Sequence, residues 1–289
     1  MSELAAPGGG LWREAMRRLR AQRAARVALV VLAAVTLLAL LAPVASPWGY
    51  DTLDWRQLAR PPQLNAAHWF GTDRLGRDLF VRTLHGVRLS LLISVLASAI
   101  SVGIGVAWGA LAGFAGGRTE EAMMRFVDVL YSLPYLFFVI ILNTLIGRGS
   151  IAVLLLAIAA VGWLTTARIV HGQTLQLKHR EFIAAARATG LTTAAILTRH
   201  VVPNLAGTVV VYAALTVPQM ILFESFLSFL GLGVQEPHAS LGNLINVGAQ
   251  EMESAPWMLL VPAAFLLVLL ICLNLLGDGL RDALDPRER

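Results

Sequence analysis

EFIAAARATGLTTAAILTRHVVPN, residues 181–204, is a polar stretch that interrupts long runs of Leu, Val, Ile and Ala. It carries two arginines and a histidine, and Gly190 and Pro203 divide it. The whole chain is 57% hydrophobic and only 14% charged, with a mean hydropathy of +0.68. A soluble domain normally carries about a quarter charged residues. We therefore interpret the chain as a polytopic membrane protein and residues 181–204 as part of one of its loops.

Apolar runs longer than the roughly 18 residues that mark a membrane-spanning helix recur along the chain. The first, residues 27–45, follows six arginines and is longer than the core of about 7–15 residues in a cleaved signal peptide. We interpret it as a retained span. The expected fold is all-α with six transmembrane helices. These are expected at 27–45 and at roughly 88–114, 124–146, 151–171, 205–231 and 256–277.

Basic residues predict the orientation, because Lys and Arg are enriched in cytoplasmic loops. An inner N-terminus places most of the 23 basic residues inside and leaves the exceptions mainly in one long outer loop. Both termini are then cytoplasmic. This topology signal also explains the formal charge of +5, so nucleic-acid binding is not expected. The predicted division is an N-terminal cytoplasmic segment 1–26, a first transmembrane helix 27–47, an outer loop 48–87, a five-helix core 88–278 containing the cytoplasmic loop 172–204, and a cytoplasmic tail 279–289.

Small residues recur every fourth position in the second span. They allow another helix to approach closely, and packing of this kind drives helix association in lipid. The pattern predicts a tight bundle or a subunit interface. The series comprises Ala97, Ser101, Gly105, Gly109, Gly113 and Gly117.

The polar stretch is patterned as two short helices. Residues 181–189 are expected to form the first, ended by Gly190, since glycine is favoured just past a helix C-terminus. Thr192 can cap the second helix, which is expected to end before Pro203. Two interpretations stay open at this point: a docking surface for a cytoplasmic protein, or an amphipathic helix resting on lipid headgroups. The first helix presents small side chains around one arginine: Ala184, Ala185, Ala186, Ala188 and Arg187.

The spacing A-A-A-R-A-T-G, nine residues, then H-V-V-P-N (184–204) resembles the coupling loop of the permease subunits of bacterial ABC importers. In that family the loop reads Glu-Ala-Ala, three residues, Gly, nine residues, then an apolar residue, a spacer, Leu and Pro. Ala185, Ala186, Gly190 and Pro203 match in register. Ala184 replaces the usual Glu, so a specific ion pair with the partner is not implied. His200 stands at the apolar position and Val202 at the Leu position.

Three further stretches are similar to the second permease subunit of peptide importers, in particular the oligopeptide type. They are GTDRLGRDLFVRTLHGVRLSL (71–91), VPQMILFESFLSFLGLG (217–233) and NLLGDGLRDALDP (274–286). The resemblance implies a bacterial inner-membrane protein that works with a homologous second permease, two ABC ATPase subunits and an extracytoplasmic substrate-binding protein. It implies no catalytic residue, metal or cofactor in this chain, since ATP and Mg are bound by the ATPase subunits. The implied ATPase-coupling residues are Glu181, Ala184, Ala185, Ala186, Arg187, Gly190, His200, Pro203 and Asn204.

The favoured function is that of a permease that moves peptides, the oligopeptide type in particular, into the cell by alternating access. The sequence contains no G-x-x-x-x-G-K-[ST] phosphate loop, in keeping with ATP hydrolysis by separate subunits. One alternative is an ABC permease for nickel or another small solute. Another is an ion-coupled secondary carrier, which needs ionisable groups at membrane depth. The predicted spans contain few such groups, namely Asp128 and Glu224. No HExxH or GxSxG motif supports a membrane enzyme.

For two features of the sequence, two interpretations stay open. Glu224 is either a structural residue that hydrogen-bonds a neighbouring helix or a contact on the translocation path. The turn-rich stretch GTDRLGRD (71–78) either contacts the binding protein or folds over the outer end of the pore.

Overall fold

Helices make up most of the structure, a computed structural model that describes residues 9–63, 67–146 and 150–284. The helices are α1 (Gly9–Ala21), α2 (Arg23–Ala45), α3 (Leu79–Ala115), α4 (Gly117–Ser132), α5 (Tyr135–Ile146), α6 (Ile151–Lys178), α7 (Glu181–Ala188), α8 (Thr193–Ile196), α9 (Val202–Phe229), α10 (Leu241–Gln250) and α11 (Trp257–Leu284). A π turn at Leu197–Val201 joins α8 to α9. Among the described residues, five helices are long and apolar enough to cross a membrane, and α4 with α5 makes a sixth if the bent pair is one span. The all-α prediction of six spans is confirmed.

The close pairing of α3 with α6 forms the centre of the bundle. A side chain added at Gly105 or Gly109 would meet atoms of α6 at 2.5 and 2.4 Å, closer than a real Cβ contact. The small-residue series therefore packs within this chain, at least along this part of α3. Hydroxyl groups add links, since Ser101 Oγ donates to the Ala159 carbonyl (3.2 Å) on α6 and Ser98 Oγ to the Ala213 carbonyl (3.3 Å) on α9.

The third span is not the single straight helix expected over residues 124–146. It begins at Gly117 and is broken after Ser132, and its two parts lie at about 90° to one another. Pro134 accounts for the break, because proline lacks an amide proton and disfavours helix at the residue before it. Leu133 accordingly has an extended backbone.

Helix α3 begins at Leu79, nine residues before the expected start of the second span. Asp78 caps it, since its side chain accepts a hydrogen bond from the Val81 amide (2.8 Å). The polar start of the helix was missed because its charges are covered by the chain that precedes it. Arg82, for example, is 1% exposed. We call the polypeptide that covers this end, residues 46–63, 67–78 and 230–256, the outer cap.

The stretch GTDRLGRD folds into the outer cap. Gly71 and Gly76 have φ values of +77° and +76°, a backbone that favours glycine. A Cβ at Gly76 would lie 2.0 Å from the Asp54 carbonyl oxygen, so the two segments can touch only without a side chain there. Of the two interpretations, folding over the outer end of the bundle agrees with this geometry.

Both ends of the described chain lie at the end of the bundle opposite the outer cap. Trp257, the first residue of α11, donates to the Thr72 carbonyl (3.3 Å) in the outer cap, so the end of α11 lies away from it. There, Gly279 is close to Gln22 and Ala25, which connect α1 to α2. The short helices α7 and α8 lie at this same end, against Ala110 and Phe114 of α3.

Candidate functional site: coupling segment and membrane groove

The turn after α7 is built around Gly190. Its φ is +81°, its amide donates to the Arg187 carbonyl (2.9 Å), and the Leu191 amide donates to the Ala186 carbonyl (3.2 Å). This pair of bonds is the Schellman motif, which ends helices at a left-handed residue. The predicted helix end at Gly190 is confirmed. The chain therefore leaves α7 in a fixed direction.

Helix α7 has one buried and one exposed face. Ile183 (0% exposed) and Ala186 (7%) pack on Phe114 and Val170, at the ends of α3 and α6. The expectation that Ala186 would be presented outward was wrong, because a helix turns about 100° per residue and Ala186 follows Ile183 by almost one turn. The exposed residues from α7 to the end of its turn are Glu181, Phe182, Ala184, Ala185, Arg187, Ala188, Thr189 and Gly190.

Two basic side chains make contacts at this end of the bundle, one from α7 to α3 and one from α6 to α3. The Arg187 guanidinium lies 4.8 Å from the centre of the Phe114 ring, within the range of a cation–π interaction. Lys178, at the end of α6, donates to the Gly113 carbonyl (3.3 Å) near the end of α3. Glu181 lies in the first turn of α7, where a negative charge favours the helix dipole.

The second arm does not end before Pro203, so that prediction was wrong. Thr192 caps it as expected, accepting a hydrogen bond from the Ala195 amide (3.3 Å). The helix then widens into the π turn, where the Val202 amide bonds the Leu197 carbonyl five residues back. The wider turn admits Pro203 without the clash that a proline ring makes in an α-helix. The Asn204 side chain donates to the His200 carbonyl (2.6 Å).

The second arm is thus continuous with a membrane helix. Residues Thr193–Phe229 form one helical unit of 37 residues that runs to the edge of the outer cap. We call residues 181–204 the coupling segment. Its first helix is held by contacts with α3 and α6, whereas its second arm is the beginning of the membrane helix itself.

Two adjoining cavities of about 350 and 380 Å³ follow one side of α9. They share Tyr212 and Leu215, and we call them together the α9 groove. Helices α4, α6 and α11 contribute the remaining walls. The polar side chains of α9 in the groove are Thr208, Tyr212, Thr216 and Gln219, and those from other helices include Tyr131, Thr165, Thr166, Gln173 and Arg281.

Glu224 lies outside this lining and is completely buried. Ser90 Oγ of α3 donates to one carboxylate oxygen (2.7 Å) and Ser228 Oγ donates to the other (2.8 Å). The two hydroxyl groups accept from the Leu241 and Val234 amides in turn, both at 3.3 Å. The carboxylate therefore sits at the centre of a network that joins α3, α9 and the start of α10.

Asp128 is half-exposed and paired. Arg168 of α6 donates to its carboxylate (2.7 Å), and the same guanidinium lies 4.3 Å from the Tyr131 ring. On the same two helices, the His171 ring lies 2.7 Å from the Glu120 carboxylate. These side chains connect α4 to α6, and the partners stand 40 and 51 positions apart, so no local sequence pattern pointed to them.

The outer cap contains a buried charge network that sequence reasoning also missed. Arg77 donates to Asp73 (2.6 Å) and to Glu236 (2.8 Å), which lies 159 positions later in the chain. The hydrogen bond from Arg77 lowers the pKa of Glu236 below its usual range, despite partial burial of the carboxyl. Arg82 donates to the Tyr50 carbonyl (3.0 Å) and lies 3.6 Å from Asp73. The network joins the segment before α3 to the segment before α10.

The bundle of long apolar helices, the short exposed helix α7 at one end and the polar groove beside α9 fit a permease of the ABC importer type. Residues 105–289 match the family model described as "binding-protein-dependent transport system inner membrane component". Residues 10–62 match the model of the N-terminal transmembrane domain of oligopeptide transport permease C. The chain belongs to this family of transport-system inner-membrane components.

Curated relatives and a solved structure agree with this assignment. The chain is 48% identical to the oligopeptide transport system permease protein OppC of Haemophilus influenzae, over all of this chain and 93% of the relative. It is 50% identical to OppC of Escherichia coli K12, over 99% of this chain and 95% of the relative. The dipeptide permease DppC of Bacillus subtilis is 43% identical to this chain, over 96% of this chain and 86% of the relative. The inward-facing methionine transporter MetNI shares the fold, with a TM-score of 0.56 and 19% identity over 70% of this chain and 96% of that one.

Proposed function

We propose that this chain is the subunit that forms half of a peptide path and converts ATP hydrolysis by docked partner subunits into movement of that path. The observation that carries the proposal is the continuity of the coupling segment with α9. A push on α8 is applied directly to the helix that lines the groove, and a push on α7 reaches that helix through the turn at Gly190. Packed helices switch between discrete arrangements, so a small shift at one end can reorient the whole unit.

The exposed face of α7 suits a protein partner better than lipid headgroups. It presents Ala184, Ala185 and Ala188 beside Phe182, which is 41% exposed. Small side chains allow close approach of another surface, and an aromatic residue is a common anchor at interfaces. A helix that rests on lipid usually has several basic residues on its polar face. Here Arg187 is engaged with Phe114.

The α9 groove fits peptides of varied sequence. Hydroxyl and amide groups, such as those of Thr216 and Gln219, can donate to or accept from peptide backbone without selecting for side chains. The relatives named above as oligopeptide permeases make the oligopeptide class the leading substrate. The lining residues described for the groove include no His, Cys, Asp or Glu, which are the usual ligands of nickel. The role of Glu224 is then to hold the outer ends of α3, α9 and α10 together.

The partners follow from the family. We propose a homologous permease that completes the path, two ATPase subunits on the coupling segments, and a substrate-binding protein at the outer cap. The ATP and Mg would be held by the ATPase subunits. The N-terminus, the coupling segment and the C-terminus would then lie in the cytoplasm of a bacterial cell.

The docking surface can be tested by adding bulk to it. Ala185→Trp in the assembled complex should abolish peptide uptake and weaken co-purification of the ATPase subunits. Thr119→Trp is the matched control, because Thr119 is exposed at the start of α4 and lies outside the coupling segment. Full uptake by Ala185→Trp, or equal loss in both variants, would contradict the proposal.

A further inference from the structure

A cavity of about 170 Å³ lies between the outer ends of α2 and α3, away from the α9 groove. Its walls come from the last turns of α2, from the start of the outer cap at Trp48 and Tyr50, and from His85 and Arg88 on α3. The volume is several times the roughly 30 Å³ of one water molecule, which leaves room for a phosphate-sized group.

Two cationic or hydrogen-bonding groups at this cavity are left without partners. Arg88 is exposed and makes no hydrogen bond or ion pair with any residue that the structure describes. His85 Nε2 is buried and likewise has no partner within the described ranges. The two buried arginines of the outer region, by contrast, are paired, since Arg77 and Arg82 both contact Asp73. A guanidinium left free beside a cavity, with a buried ring nitrogen next to it, suits an anion.

The position of Arg88 indicates which kind of anion the cavity would bind. Along α3 its face continues with Leu92, Val95 and Leu96, at i+4, i+7 and i+8, and these side chains are 53%, 50% and 44% exposed. Opposite the cavity, Val44 near the end of α2 is 87% exposed. Arg88 thus stands where an apolar, lipid-compatible surface meets the outer cap. Trp and Tyr, here Trp48 and Tyr50, are the residues enriched at this boundary of a membrane.

We propose that this cavity binds the phosphate of a phospholipid headgroup in the outer leaflet, with Arg88 as the principal ligand and His85 as the second. Arginine matches phosphate geometry with two parallel hydrogen bonds, and its aliphatic stem can lie along apolar surface. The acyl chains would lie on the exposed face of α3 below Arg88. A bound lipid would fasten the end of α2 to α3 and to the outer cap.

Native mass spectrometry of the purified full chain measures the binding directly. Titration with phosphatidylglycerol should give one tight adduct, and diacylglycerol with the same acyl chains should bind at least about tenfold more weakly. Arg88→Gln should weaken the phosphatidylglycerol adduct by about 10- to 100-fold, the range expected for losing a charged hydrogen-bond pair of about 1.5–3 kcal/mol. His85→Phe, which keeps a ring for stacking on Tyr50 (4.1 Å between centroids), should give a smaller loss.

Arg74→Gln is the matched control, because Arg74 is an exposed arginine in the outer cap that does not line the cavity. It should bind lipid like the unaltered chain. Equal lipid affinity in Arg88→Gln and the unaltered chain would overturn the proposal. So would displacement of the adduct by millimolar inorganic phosphate, which would define a site for a free anion. Absence of the lipid adduct from the complex of the unaltered chain with its second permease, together with a cross-link from an Arg88→Cys chain to that permease, would overturn it in favour of a subunit contact.

Discussion

Gly190 stands at the joint between the two arms of the coupling segment, and its backbone is what the joint requires. A Cβ there would meet nothing within 4 Å, so the cost of substitution comes from the left-handed φ of +81° alone. For other residues this conformation costs about 1–2 kcal/mol. Gly190→Val should therefore leave the protein inserted in the membrane but abolish uptake and substrate-stimulated ATP hydrolysis by the assembled complex.

A second glycine, in helix α6, provides a control for Gly190. Gly172 in α6 also has open space around its Cβ position, but its backbone is helical. Gly172→Ala should keep uptake and ATP hydrolysis. Normal coupling in Gly190→Val, measured as peptide taken up per ATP hydrolysed, would show that the joint does not transmit the motion.

Glu224 and Gln219 lie on the same helix, but their replacement by alanine should affect stability and uptake differently. Glu224→Ala leaves the hydroxyl protons of Ser90 and Ser228 without their acceptor in a buried site, which costs about 1–3 kcal/mol each. The thermal unfolding midpoint of the purified chain should fall. Gln219→Ala opens the groove without breaking a described hydrogen bond, so the midpoint should hold while uptake by the complex changes. Unaltered stability together with lost uptake in Glu224→Ala would instead place the carboxylate on the path.

At the scale of elements, the pairing of α3 with α6 depends on glycine. A Cβ at Gly109 would lie 2.4 Å from the Ala167 carbonyl oxygen, a backbone atom that can move only if the helices separate. Gly109→Ala should lower the thermal unfolding midpoint, with an overpacking cost of about 1–3 kcal/mol. Gly103 lies in the same helix with no atom within 4 Å of its Cβ position, so Gly103→Ala should be neutral. Equal midpoints in the two variants would show that α3 and α6 are not tightly packed in the membrane.

Local patterns predicted the elements that depend on local physics. Hydropathy located the spans, and the Gly190 turn and the Thr192 cap followed from residue preferences at helix ends. The early start of α3 could not be predicted, because Arg82 is buried by its contacts with Asp73 and Tyr50, and these residues come together only in the folded chain. The continuation of the helix through Pro203 could not be predicted either. A π turn is rare, so a proline at this position predicts the end of a helix.

Long-range features of the site could not be predicted from the sequence. The bonds of Glu224 to Ser90, of Arg77 to Glu236 and of Arg168 to Asp128 join segments that are 40 to 159 positions apart. No spacing rule connects such pairs. The groove likewise depends on which face of α9 the neighbouring helices leave open. The candidate coupling residues could be proposed from the sequence because they form one contiguous motif.

For the molecule as a whole, the outer cap and the coupling segment lie at opposite ends of the helix bundle, and the predicted orientation puts them on opposite sides of the membrane. Asp51 and Thr192 are exposed at these two ends, so single cysteines there report sidedness. In intact cells an impermeant thiol reagent should label Asp51→Cys and leave Thr192→Cys unlabelled. The native Cys272 is buried and should react little. Labelling of Thr192→Cys from outside would contradict the orientation.

The central claim is that partner ATPases drive transport through the coupling segment. The most direct measurement is uptake of a labelled oligopeptide into proteoliposomes that contain either this chain alone or the chain with its second permease, two ATPase subunits and binding protein. The account predicts uptake only by the full complex, only with ATP on the coupling-segment side, and none when Gly190→Val replaces the native chain. Full uptake by the chain alone, driven by an ion gradient without ATP, would contradict it.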